Sequence, residues 1–441
     1  MLGPGMHVGP GQILNVCCML GPCRFQRCFI SVPATINIAH GVGLRFCAVD
    51  AAFSKHPIYR QGYLHLLTTR DGNNHVLVLC WAICETESGD TYTWFAQEVH
   101  DAGLSTYLAK GIIYSDRQKG IDEFHKKFGA FVGKCFKHMI GNAKKHVKGT
   151  GQTFQEVTAW NMQKAPTRSE YEAQLEKMRQ ESSIAAKYFD EECIPHDEVY
   201  QYAMNDKKVA NHDFKTSQIV ECANGVFVAA RECHPYYLNE MILEWVGQKL
   251  AEHTREMINW VQKDHPLTKY SHDLHAIQVE IAKRSGNQVL DGGGDIYRVK
   301  NMAKPERPAF EVNLRKPECC PYYAKHQQPC RHMIIVFHHK GMLGGTARQT
   351  KQTIEKWWPK CFKSDYYVHM YKDKCVRCPK TYPGPFNGPD ADRCEPPKQT
   401  HAKRGRPKKE RYRWSKQTKK TVQERMPIVY RADYASCMLH F

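Results

Sequence analysis

The decapeptide Gly111-Ile112-Ile113-Tyr114-Ser115-Asp116-Arg117-Gln118-Lys119-Gly120 constrains the fold more than any other stretch of the chain. A short apolar, β-prone run stops on a carboxylate, a polar turn follows, and Ile121, Phe124 and Phe128 then recur at helical spacing. This pattern predicts a buried strand that presents Asp116 at its C-terminal end, where open α/β sheets hold their ligands. Taken alone, such an acid is more often a cap that accepts the first N–H groups of the next helix. Catalysis at Asp116 requires partner carboxylates elsewhere in the chain.

A chain of 441 residues is long enough for two or three domains and a sizeable core. No apolar run approaches the roughly 18 residues needed for a membrane span. The first 23 residues carry no Lys or Arg and are interrupted by Gly and Pro, so they lack the pattern of a signal peptide. The expectation is an intracellular chain or a fragment of one. Nineteen cysteines, an odd number scattered over a long chain, then suggest thiols and metal ligands rather than a disulfide framework. The net charge of +18 is unevenly spread, and Lys398 to Arg425 holds twelve Lys or Arg against Glu410 and Glu424. Such blocks bind polyanions, which makes nucleic acid the leading partner class.

Met1 to about Ala39 is poorly patterned, and residues 1–39 are given no function. Leu44 to Asp50 is a second strand-like run ending on an acid. Arg60 to Thr69 and His75 to Cys84 read as strands, with Asp71-Gly72-Asn73-Asn74 as the hairpin turn between them. Thr91 to Val99 suits an amphipathic helix, and Ala130 to Cys135 is a further strand after the Asp116 region. Residues from about 140 to 211 lack strand pattern and read as a mostly helical insertion within a core of residues 40–260. Helical faces resume over Thr216 to Ala230 and Asn239 to Trp260. A connecting segment (261–310), a small cysteine–histidine module (311–340), a further Cys/His-containing segment (341–397) and a basic tail (398–441) follow. The predicted fold class is α/β, with three antiparallel strands followed by helix, strand, helix and strand. That is the element order of a ribonuclease H-like core, here with the helical insertion before a third carboxylate, then a zinc-binding module and a disordered basic tail.

Asp50 and Asp116 end two strands that would be neighbours in such a core. Glu221 is the candidate third acid, on a helix whose Asn224, Val228 and Arg231 fall on its side. Phosphodiester chemistry uses such trios because hard divalent cations take oxygen ligands and stabilise both attacking and departing oxygens. One at a time, the acids read equally as a cap, a turn acid and a solvated helix residue.

Five motifs occur together in one order: Cys47-Ala48-Val49-Asp50-Ala51-Ala52-Phe53; Glu87-Ser88 with Trp94-Phe95; Ser115-Asp116-Arg117-Gln118-Lys119-Gly120; Cys135-Phe136-Lys137-His138 with Asn142; and Thr216-Ser217 with Glu221, Asn224 and Arg231. Their order and spacing resemble the Mutator-like (MULE) transposases, a DDE family, over about Phe25 to Arg413. The resemblance implies that Asp50, Asp116 and Glu221 form the catalytic, metal-binding triad with Mg²⁺ or Mn²⁺. Cys135, His138, Asn224 and Arg231 would support it. Cys135-x-x-His138 reads equally as half a metal site or as a buried thiol beside a hydrogen-bonded histidine.

Cys319-Cys320, Cys330 and His332 resemble the SWIM zinc finger that follows the core in these transposases, and three thiolates with an imidazole suit tetrahedral Zn²⁺. The family's Cys-x-Cys is replaced by adjacent cysteines, because Glu318 takes the first position, so Cys319 requires a local backbone change to become the fourth ligand. Cys375-x-x-Cys378 with Cys394 is a weaker second set. Arg404-Gly405-Arg406-Pro407-Lys408-Lys409 resembles an AT-hook, in which a thin, extended backbone lets arginine enter an A·T minor groove. It also reads as a nuclear localisation signal.

The expected function is DNA transposition: nicking at element ends, then attack of the released 3′-hydroxyl on target DNA. Double-stranded DNA is the expected partner, the protein a homo-oligomer without membrane association, and the location nuclear. The alternative is a transposase-derived DNA-binding or regulatory protein, or a truncated copy, without cleavage activity.

Overall fold

The computed structural model describes residues 15–21, 24–56, 62–109, 111–116, 120–284, 286–306, 309–316, 319–374 and 376. The weaker cysteine set at 375, 378 and 394 and the Arg404–Lys409 motif lie outside them. Among the described residues no helix is long and apolar enough to cross a membrane.

The fold is mixed α/β, built on a mixed seven-stranded sheet. Its strands are β1 (Asn15–Gly21), β2 (Arg24–Ser31), β3 (Gly43–Phe53), β4 (Tyr63–Asp71), β5 (Val76–Cys84), β6 (Ile112–Ser115) and β7 (Phe131–Lys134). Their spatial order is β1-β2-β5-β4-β3-β6-β7, antiparallel from β1 to β3 and parallel from β3 to β7. Residues of β4 and β5 are buried almost throughout, as expected for central strands covered on both faces. The Asp71–Asn74 turn joins them as its sequence predicts. Asp71 Oδ1 accepts from the backbone N–H groups of Asn73 and His75, each at 2.9 Å, and Asn74 takes a left-handed φ of 67°.

Two expectations need adjustment. The poorly patterned first 39 residues contribute β1, β2 and a helix at Pro33–Val42 to the main sheet and its cover. Val32, Ile38, Ala39 and Val42 are fully buried there. The frequent Gly, Pro and Cys obscure any alternation; β1 pairs locally with β2, and β2 joins the sheet through its distant partner β5. The expected connecting segment is also structured. It holds a helix at Lys269–Arg284 and strands β8 (Asn287–Asp291) and β9 (Ile296–Asn301), which join β10 (Phe310–Asn313) in a three-stranded antiparallel sheet.

The stretch after β7 up to Asp206 is helical and without strands among the described residues. Helices at Phe136–Val147, Glu156–Lys164 and Arg168–Glu181 enclose a hydrophobic cluster of their own, in which Phe136, Met162, Met178 and Phe189 are buried. A second satellite cluster gathers the small sheet, the Arg331–His339 helix, Trp357 and Phe362. The chain then returns to the main core through the helix Ser364–Tyr371, whose Tyr367 and Tyr371 are completely buried.

Candidate active site and metal centre

Strand register brings the first two acids together. β3 and β6 run parallel with Ala48 opposite Tyr114, so two residues further on Asp50 and Asp116 lie at matching positions. Asp116 is just past the end of β6, and Asp50 is still within β3, which runs on past the expected end to Phe53 by pairing with β4. Neighbouring strands are about 4.8 Å apart. Gly120 turns the chain just beyond the strand with a φ of 99°, and a Cβ there would lie 2.7 Å from Gly89 Cα. Gly120 therefore sits hard against the start of the Gly89–Asp101 helix.

The third acid reaches the same place from the helix Gln218–Val226. Asn224, one turn after Glu221, donates from Nδ2 to Asp50 Oδ2 at 2.9 Å. Burial, the Asp116 charge and the Glu221 charge together push the Asp50 carboxyl up to about 7, although Asn224 opposes them. A carboxyl raised first by burial and then by two neighbouring acids is a candidate functional group. Asn224 Oδ1 is buried and has no hydrogen-bond partner. Among the described residues, Glu221 comes within metal-sharing distance of Cys135 and His138, and the groups that meet that test do not include Asp50 or Asp116, so the three acids are electrostatic neighbours.

Glu221 is held by other groups as well. Ser217 Oγ donates to its Oε1 at 2.9 Å, Cys135 Sγ lies 3.8 Å from the same oxygen, and His138 Nδ1 is also at 3.8 Å. Lys137 Nζ approaches Oε2 at 3.9 Å. The hydrogen bond with Cys135 raises His138 to about 9, ahead of the opposing effect of burial. Burial would raise the Cys135 thiol, yet His138 and Ser217 hold it below its usual value. Cys135 and His138 thus support Glu221, and their ligand atoms with one Glu221 oxygen are close enough to hold a metal ion. Arg231 supports the site through backbone: it donates to Phe53 O at 2.9 Å and Asn224 O at 3.4 Å, tying the end of β3 to the Glu221 helix.

A fourth carboxylate was not singled out as a site residue in the sequence. Glu87 is half-buried, accepts from Tyr92 Oη at 3.1 Å, and is raised first by burial and then by the Asp116 charge. Its place in the Glu87-Ser88 motif was the available signal.

The four cysteine–histidine candidates also converge. Cys319, Cys320, Cys330 and His332 place one ligand atom each within 4.8 Å of all the others, a group that could hold a metal ion. His332 Nδ1 lies 3.8 Å from Cys319 Sγ and 3.7 Å from Cys330 Sγ. Cys330 occupies the N-cap position of the Arg331–His339 helix, and burial pushes its thiol up to about 12. Phe310 of β10 stacks on His332 at 4.0 Å, fixing the ring. The mutual hydrogen bonds push Cys319 up and Cys320 down. The adjacent cysteines therefore do reach a common centre, which the spacing alone did not guarantee.

This module is fastened to the strand that bears Asp50. Lys325 and Lys215 both pair with Asp213 Oδ1, and despite burial they hold its carboxyl down to about 2. Phe214 beside it stacks on Phe46 of β3 at 4.2 Å.

Asp71, His75 and His253 meet the same distance test for a metal, but their chemistry argues for a hydrogen-bond network. Asp71 already accepts from two backbone N–H groups and from the Tyr367 and Tyr371 hydroxyls. The His75 and His253 rings stack at 3.9 Å and 11°, so their in-plane lone pairs run side by side instead of converging.

No family model matches this chain, and no curated protein matches it.

Proposed function

We propose that this chain is a metal-dependent DNA-cleaving and strand-transferring enzyme, a DDE transposase of Mutator-like type with a ribonuclease H-like core. The observation that carries the reading is that Asp50 on β3 and Asp116 just past β6 lie at matching positions of adjacent parallel strands, with the Asp116 and Glu221 charges both bearing on Asp50. The order β5-β4-β3-β6-β7, with three antiparallel strands and two parallel ones, supports a ribonuclease H-like core. The helical insertion before Glu221 supports the transposase over a simple nuclease.

Asp50, Asp116 and Glu221, with Asn224 and Glu87 beside them, would hold the cations. Bound divalent cations would supply Lewis acidity for in-line displacement at phosphorus. Asn224 orients Asp50, while Ser217, Cys135 and His138 orient Glu221. Basic side chains position the DNA backbone. Cys319, Cys320, Cys330 and His332 suit Zn²⁺, which would fold the module and add no chemistry to the cleavage step. Transposition joins two ends, so a dimer or larger assembly and a nuclear location are part of the reading.

The test is Mg²⁺- or Mn²⁺-dependent cleavage and strand transfer with duplexes carrying the inverted repeats that flank the coding sequence. Asp116→Asn should abolish both while DNA binding persists. A regulatory, non-cleaving derivative is the second reading, favoured by the three groups that clasp Glu221 within 3.8 Å. It is preferred if the wild type binds these duplexes but leaves them intact.

A further inference from the structure

The helix Phe136–Val147 buries Phe136, Met139, Ile140, Ala143 and Val147 along one side. At 3.6 residues per turn, Lys137, His138, Gly141, Lys144, Lys145 and the following Lys148 share the opposite side, within roughly a third of the circumference. All five of the basic residues are exposed. Lys144 is paired with Glu156, whereas Lys145 reaches only Asn142 Oδ1 at 3.0 Å. Among the described residues, Lys145 and Lys148 have no carboxylate partner. Gly141 lies between the two ends of the stripe, and a Cβ there would meet nothing within 4 Å.

The stripe starts at the acids. His138 and Lys137 approach Glu221, and a cavity of about 260 Å³ is lined by Asp116 together with Lys134, His138, Asn142 and Lys145. Positive charge therefore begins at the carboxylates and leads away along one exposed face. At 1.5 Å per residue, eleven residues cover on the order of 16 Å, enough to accompany roughly four or five phosphates of one duplex strand.

We infer that the face Lys137–Gly141–Lys145–Lys148 is the track that seats one strand of duplex DNA beside the bond to be cut. This rests on the cleavage reading for the acids, and it adds which surface holds the backbone and from which side it enters. Lys145 and Lys148 neutralise phosphates, and bare Gly141 lets a sugar–phosphate approach the helix backbone. Lys137 and His138 stand where the strand meets Glu221.

Binding of the full chain to a mixed-sequence DNA duplex, without divalent cation and over a salt series, tests the inference. Lys145→Ala/Lys148→Ala should lower the slope of log affinity against log salt by about 1.8, at roughly 0.9 per phosphate contact. Gly141→Glu should weaken binding at least tenfold with unchanged thermal stability. Lys177→Ala/Lys187→Ala, the same charge change elsewhere on the insertion, should leave the slope as it is. An unchanged slope in the Lys145/Lys148 variant, an equal fall in the Lys177/Lys187 control, or a loss confined to RNA duplex overturns the inference. A wild type that never cleaves DNA, yet whose slope falls in the Lys145/Lys148 variant, keeps this surface and removes the enzyme reading. Cleavage by a wild type whose slope is indifferent to that variant does the reverse.

Discussion

Asp50→Asn should make the metal-free protein more stable at neutral pH. The folded carboxyl titrates at about 7, against 3.8 for the unperturbed group. The unfolded chain therefore releases its proton near pH 4 while the fold keeps it until about 7, so stability declines as pH rises through that interval and is level above it. At about 1.36 kcal/mol per pH interval of one, the full penalty above pH 7 is at most about 4 kcal/mol. Asp50 keeps some contact with solvent, which screens the neighbouring charges, so about 2–4 kcal/mol is the expected gain in the variant. Asparagine is nearly isosteric and can still accept from Asn224. Thermal melts in EDTA near pH 5 and pH 8 provide the assay. Asp50→Asn should melt higher by roughly 4–8 °C near pH 8, with a distinctly smaller gain near pH 5. Mg²⁺ should stabilise the wild type and not the variant, since only a ligand that binds the folded site shifts the melt. A variant that melts at or below the wild type at both pH values would refute the claim that these acids repel one another in a shared site.

Other perturbations separate the parts of the account. Cys330→Ser should cut the zinc content of the purified chain well below one ion per molecule and open residues 311–340 to proteolysis, read by metal analysis and mass spectrometry. The Asp71 network predicts a second pH dependence. Although burial opposes it, Asp71 and Glu256 raise His75 to about 9. That stabilisation is present below about pH 6.5 and lost as pH rises towards 9, and Asp71→Asn should remove the slope and cost about 3 kcal/mol or more in chemical denaturation. Asp213→Ala leaves buried Lys215 and its neighbour Lys325 without their shared carboxylate, so it should destabilise by about 3 kcal/mol in the same assay and loosen the cysteine–histidine module.

The strand that ends on Asp116 was legible because its apolar run and following helical period are local signals. The hairpin at Asp71–Asn74 was legible for the same reason, its turn chemistry being contained in four residues. The pairing of Asp50 with Asp116 needed sheet order, which the element sequence suggested and the register Ala48↔Tyr114 supplies. β1 and β2 were missed because Gly, Pro and Cys hide their alternation, and because the pairing that joins them to the sheet is distant: β2 pairs with β5, with Phe29 opposite Ala82. Glu87 stood in the Glu87-Ser88 motif but reads locally as an acid before a helix, and its place near the site comes from Asp116 and Tyr92. The stripe on the Phe136–Val147 helix is periodic in sequence, but its aim towards Glu221 follows only from packing.

The central claim is that Asp50, Asp116 and Glu221 form one divalent-cation site for phosphodiester chemistry. Its most direct test is cleavage of duplexes bearing the flanking inverted repeats, comparing the wild type with Asp116→Asn in Mg²⁺. The account predicts cations-dependent nicking and strand transfer by the wild type and a loss of at least a thousandfold in the variant, with DNA affinity retained. Cleavage that persists unchanged in Asp116→Asn would contradict it.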